Sequence, residues 1–113
     1  AITSCFSALF PAKWIRQGCH IAAMGTDTTG KKELANELIN SAERFTDEIA
    51  QSRTIGEFQY LSEGHSIRTL GSVIQGNDPG RTNSNDITIF DGTGVGLQDL
   101  ACAQAVVKTL EKS

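Results

Sequence analysis

The chain has 113 residues, 39% of them hydrophobic and 20% charged, with ten basic against thirteen acidic side chains and a net charge of −3. That usage is globular and gives room for one domain with its own core. The scattered basic residues argue against a nucleic-acid or anionic-membrane surface. No apolar stretch approaches the roughly 20 residues of a membrane span, and no basic segment leads an apolar one at the N-terminus, so a cytoplasmic protein is expected. Cys5, Cys19 and Cys102 are odd in number and lack metal-like spacing. They read as reduced thiols packed like small hydrophobes, and no metal site is expected.

In chain order, Ala1-Ile-Thr-Ser-Cys5 looks like the end of a strand, as in a fragment or a processed chain. Phe10 to Ile15 reads as a turn or helical connector. The continuous apolar run from Cys19 to Met24 suits a strand covered on both faces. Leu34, Leu38 and Ile39 fall at helical spacing, which predicts a helix over 32–42, capped by Thr28 or Thr29 and with Glu33 early in it where the dipole favours an acid. Arg44 to Ile49 alternates as a half-buried strand does. Two helical pieces are predicted near 52–61 and 66–75. The polar loop 76–86 is dense in turn formers and of a length that often meets ligands. Ile87 to Phe90 follows as a strand, and Leu97, Leu100, Ala101, Val106, Val107 and Leu110 mark a last amphipathic helix ending at Glu111-Lys112-Ser113. The order predicts an α/β domain over 1–113: a partial Rossmann-like, half doubly wound, mainly parallel sheet with flanking helices.

The loop Gly25-Thr-Asp27-Thr-Thr-Gly-Lys31 sets a carboxylate and a lysine after a strand, where such sheets present ligands. On residue chemistry alone, Asp27 and Thr28 form an Asx-turn or helix cap as readily as a site. A dinucleotide-binding GxGxxG turn is absent; Gly92-Thr-Gly94-Val-Gly96 follows a strand but has GxGxG spacing. No Ser-His-Asp or Cys-His nucleophilic set is evident.

Five pieces in one order, Trp14-Ile-Arg-Gln-Gly-Cys-His-Ile, the Asp27 loop, Gly56-Glu57, Pro79-Gly-Arg81 and Phe90-Asp-Gly-Thr-Gly, resemble the ornithine cyclodeaminase/μ-crystallin family of NAD(P)-dependent enzymes over nearly the whole chain. Its members are about three times longer, so the resemblance is to their last third. It implies NAD or NADP as cofactor, with the phosphates held by upstream sequence, and an amino acid or cyclic imine as substrate. Asp27 matches the acid/base aspartate, a role that needs a carboxyl pKa raised by burial or a mainly electrostatic action. Lys31 matches a lysine near substrate, placed to hold a carboxylate or lower the Asp27 pKa. Thr3, Met24, Gly92 and Thr93 match the nicotinamide end of the cofactor site. Serine is common in the family where Gly92 stands, and Thr93 is the residue left to replace it. His20 matches a structural histidine on a buried strand. Glu57 and Arg81 are expected to stabilise the fold or subunit arrangement, with a solvated surface pair as the alternative.

Two functional expectations stand side by side. One is a truncated domain without catalytic activity alone, acting as a self-associating or binding module, with a homo-oligomer expected from apolar surfaces left uncovered. The other is a fragment of an active NAD(P)-dependent ornithine cyclodeaminase, amino-acid dehydrogenase or cyclic-imine reductase.

Overall fold

A computed structural model describes residues 1–3, 5–62, 64–94 and 96–112. Ser4 of the opening segment, Val95 of the glycine-rich run and the terminal Ser113 lie outside the described residues, as does the side chain of Leu97.

A 3-10 turn, Ala12–Trp14, leads into strand β1, His20–Ala23. Then come helix α1, Asn36–Ser41; strand β2, Glu43–Thr46; and helix α2, Ile49–Ile55, with a second 3-10 turn at Glu57–Tyr60. Strand β3 is Arg68–Thr69 and runs directly into helix α3, Leu70–Ile74. Strand β4, Thr88–Asp91, and helix α4, Gly96–Glu111, complete the order.

The four strands form one parallel sheet in the order β1-β4-β2-β3. The last long strand is thus inserted between the first two, pairing Ala23 with Asp91 and Thr46 with Asp91 across its two edges. Parallel strands joined through helices in this way are the α/β architecture expected from the sequence. Their carboxyl ends open on one edge, where such sheets place ligands.

Side-chain alternation gives the sheet two unlike faces. Ile21, Ala23 and Ile89 point into the core with Leu34, Leu38, Ile39, Phe58 and Ile67. His20 and Ala22 on the opposite face are exposed, so β1 is covered on one side only among the described residues, not on both as the apolar run suggested. That second face bounds a hollow of about 440 Å³ lined by His20, Phe45, Phe90, Leu70, Val73 and Arg81, among others.

Three other expectations change. The helix predicted over 32–42 begins only at Asn36. Lys32 instead bridges Phe6 in extended form, and Glu33 is fully buried ahead of the helix, outside its first turn. No cap comes from Thr28 or Thr29; the residue before α1 is Ala35, which gives no side-chain bond. The segment 66–75 splits into β3 and α3, with Thr69 both ending the strand and capping the helix by accepting from the Ser72 N–H. Finally, the cysteines are free, but none is buried: Cys5 and Cys19 are half-buried and Cys102 is exposed.

Candidate functional site

Gly25 follows β1 where nothing larger fits: an added Cβ would meet the Thr3 backbone, lying 2.6 Å from its carbonyl oxygen and 2.8 Å from the Glu33 carboxylate. The chain beyond it loops over the carboxyl end of the sheet. Gln59 fastens this loop at two points, accepting from the Gly30 N–H at 3.0 Å and donating to the Thr28 carbonyl at 2.9 Å. Lys31 then donates to Asp27 across one turn of chain at 2.8 Å.

Asp27 is open to solvent, with 66% of its side chain exposed against 19% for Lys31. The hydrogen bond and charge of Lys31 hold its carboxyl below the ordinary value. Asp27 therefore lacks the upward shift a neutral-pH proton donor needs, and of the two roles set out above the geometry suits the electrostatic one. It caps no helix, since α1 starts nine residues later.

The candidate cofactor residues come from three segments that meet at the same edge. Thr3 donates its hydroxyl proton to Glu33 at 2.7 Å, and the other Glu33 oxygen accepts from the Gly25 N–H at 3.1 Å. Met24, next in chain to Gly25, is half-exposed and donates its N–H to the Ala1 carbonyl at 2.8 Å. Its thioether lies over Gly92, where an added Cβ would fall 2.5 Å from the sulfur, so a serine there would have to push Met24 aside. The Gly92 N–H in turn donates to the Ala23 carbonyl at 3.0 Å. Thr93 is buried, its hydroxyl donating to Asp47 at 2.6 Å and its N–H to the same carboxylate at 3.0 Å.

Behind this edge stand three buried carboxyl groups, Glu33, Glu57 and Asp91, none of them in an ion pair among the described residues. Hydroxyl and backbone donors serve instead, as burial of such groups requires. Glu57 accepts from Thr26 at 2.5 Å, from the Leu34 N–H at 2.8 Å and from the Glu33 N–H at 3.0 Å. Asp91 accepts from the Ser52 hydroxyl and, at 2.9 Å, from the Glu57 N–H, while its second oxygen has no partner. Burial pushes Asp91 up to about 7, against those bonds and with the Glu57 and Asp47 charges adding to the rise. Burial likewise raises Glu57, although its donors favour the anion.

Glu57 is thus an internal anchor and not half of a solvated pair. Arg81 lies elsewhere, donating to Thr88 at 2.9 Å and to the Asp86 carbonyl. His20 is bonded to Thr88, its Nδ1 2.7 Å from the hydroxyl, but is exposed and not buried. Sequence reasoning missed Glu33, Asp47 and Asp91 as parts of the site's support. The signal for Asp91 was present, an acid closing the apolar strand Thr88–Asp91. Among the described residues no group of acidic, histidine or cysteine side chains is arranged to hold a metal, and no helix is long and apolar enough to cross a membrane.

A parallel four-stranded sheet with flanking helices is the Rossmann-like layout, and the solved neighbours share that fold. The chain belongs to the Ornithine cyclodeaminase/mu-crystallin family, which it matches over residues 1–113. It is 54% identical to the iminosuccinate reductase of Paracoccus denitrificans over 96% of this chain and 35% of that protein. Against the crystal structure of that reductase in complex with NAD+ the TM-score is 0.90, covering 98% of this chain and 36% of the other. An archaeal alanine dehydrogenase dimer with bound NAD superposes with a TM-score of 0.88 at 36% identity, covering 98% of this chain and 37% of that one. The alanine dehydrogenase of Archaeoglobus fulgidus is 39% identical over 84% of this chain and 31% of its own length. The chain therefore spans about a third of the length of these relatives.

Proposed function

We propose that this chain carries the nicotinamide-facing and substrate-facing part of an NAD(P)-dependent enzyme of amino-acid or imine metabolism, and corresponds to the C-terminal third of such an enzyme. On this reading residues 1–113 are one α/β domain, Asp27 and Lys31 face the substrate, and Thr3, Met24, Gly92 and Thr93 face the cofactor. The observation that supports it is that Thr3 and Gly25 meet on Glu33 and Met24 lies over Gly92 at the carboxyl edge, next in chain to the loop that pairs Lys31 with Asp27.

The residues present fit the nicotinamide end of such a cofactor in their chemistry. A half-exposed thioether offers an apolar, polarisable surface, and two threonine oxygens offer polar contacts. NAD(P), when bound, supplies the hydride for an imine or takes it from an amine. Lys31 holds a substrate carboxylate, and the 54% identity to an iminosuccinate reductase makes a dicarboxylic imine a natural candidate beside a cyclic one. Asp27, kept ionised by Lys31, attracts the cationic nitrogen of a protonated imine and accepts its N–H.

Alone, the chain is proposed to be catalytically inactive and to act in the cytoplasm as a self-associating or binding module. Helix α4 supports this part: Leu100, Val106, Val107 and Leu110 are each more than half exposed, which is the kind of surface that favours association.

Calorimetry with NAD(H) and NADP(H), with light scattering on the same sample, tests both parts. Micromolar binding that Gly92→Trp abolishes and Asp27→Asn alters supports a working cofactor edge. No binding at millimolar cofactor, with a stable dimer or larger species, leaves association as the function. A monomer that binds nothing defeats both.

A further inference from the structure

A hydroxyl has one proton to give, so the partner that takes it decides what the oxygen offers to everything else. For three threonines at this edge the partner is a carboxylate. Thr3 gives its proton to Glu33 at 2.7 Å and also accepts from the Cys5 N–H at 3.3 Å. Thr93 gives its proton to Asp47 at 2.6 Å. Thr26, deeper in the same loop, gives its proton to Glu57 at 2.5 Å.

Each of these carboxylates also accepts a backbone N–H. Glu33 takes the Gly25 N–H on its second oxygen. Asp47 takes the N–H groups of Glu48 at 2.9 Å and Thr93 at 3.0 Å, and Gln51 pins the Thr93 carbonyl from the other side at 2.9 Å. Burial works against the Asp47 anion, but the Thr93 hydroxyl and N–H, with Glu48 and Thr46, outweigh it and hold the carboxyl below its ordinary value.

We propose that Glu33 and Asp47 are positioning residues that set the hydrogen-bond polarity of the cofactor edge: they consume the protons of Thr3 and Thr93, so both oxygens meet a ligand as acceptors. Resting on the cofactor reading above, this makes the edge selective for a ring substituent that brings its own N–H, the primary carboxamide of nicotinamide, over one that brings only a carbonyl. Lys31 does not blur the distinction, since on the reading above its ammonium serves Asp27 and the substrate carboxylate.

The probes are NAD+ and its 3-acetylpyridine analogue, which keeps the carbonyl and replaces the amide nitrogen by a methyl group. The 113-residue chain is expected to bind NAD+ roughly tenfold more tightly, the worth of about one hydrogen bond. Glu33→Gln and Asp47→Asn each bring an N–H that lets the threonine turn its proton outward, and the preference is expected to shrink to within about threefold or reverse. Thr3→Val, which leaves Glu33 in place, is expected to shrink it too. Equal affinities in the wild type, or an unchanged ratio in the variants, overturn the proposal.

The polarity is also read without cofactor, so that failure to bind NAD+ counts against the cofactor reading and not against the geometry. Carbon-13 NMR of the Asp47 carboxyl should give a higher titration midpoint in Thr93→Val than in the wild type. An unmoved midpoint overturns the assignment of the Thr93 proton.

Discussion

Asp91 closes β4 with a carboxyl group that has no exposure, two donors on one oxygen and none on the other. Its value of about 7 against an ordinary 3.8 means that between those limits the folded chain holds a proton the unfolded chain has released. Folding is therefore favoured at the acid end and loses support as pH rises from about 4 to 7, a loss on the order of 4 kcal/mol if nothing else titrates. Glu57, shifted the same way, adds to it. The expected outcome is that the wild type gains thermal stability from pH 8 to pH 5.5 and that Asp91→Asn flattens most of that slope, as calorimetric unfolding across pH will read. Such a group is barely legible in a sequence. Thr-Ile-Phe-Asp reads as a strand closed by a polar residue, and only the neighbours Ser52 and Glu57, 39 and 34 residues away, show that the acid points inward. Asp27 is the opposite case, since its residue type and its lysine four positions on were visible at once, but its exposure was not.

At the scale of elements, Arg44 does what no sequence pattern announces. It sits on the core side of β2 and reaches back to the end of α1, donating to the carbonyls of Ile39 at 3.0 Å, Asn40 at 3.1 Å and Ala42 at 2.6 Å, and to Ser66 at 2.9 Å. These are the carbonyls a short helix leaves without partners at its end. Arg44→Met keeps much of the apolar stem and is expected to cost roughly 1.5–3 kcal/mol through the orphaned carbonyls, measured as a shift in the urea midpoint. Short apolar runs bounded by turn formers made β1 and β4 legible, and the repeating apolar positions of the last stretch made α4 legible. The two residues of β3 were not, because a strand that short has no period and earns its place only by pairing with Phe45 and Thr46. The late start of α1 has a like cause: Glu33 and Leu34 look helical by spacing, but their N–H groups are taken by Glu57 before a helix can form.

For the whole molecule, the sheet face left uncovered among the described residues and the exposed flank of α4 are the surfaces on which the proposed self-association rests. Replacing Leu100, Val106 and Leu110 by serine is expected to lower the mass measured by light scattering toward that of one chain while leaving the far-ultraviolet dichroism in place. An unchanged mass would place association elsewhere, with the hollow beside Phe90 and Val73 the next surface to alter. That one face of β1 is exposed among the described residues was legible only in part. The run Cys19 to Met24 looks apolar throughout, and a sequence does not tell whether the second face finds its cover inside the chain or outside it.

The three buried carboxyl groups also bear on how the fold opens. Their donors come from residues 3, 25, 26, 33, 34, 52 and 57, so no single segment can lift away without leaving an acceptor bare in the interior. Separate frays are thereby forbidden, and the amide protons of Gly25, Glu33, Leu34 and Glu57 should exchange with solvent deuterium at one common rate, as a single opening unit, although they are spread over 33 positions of the chain.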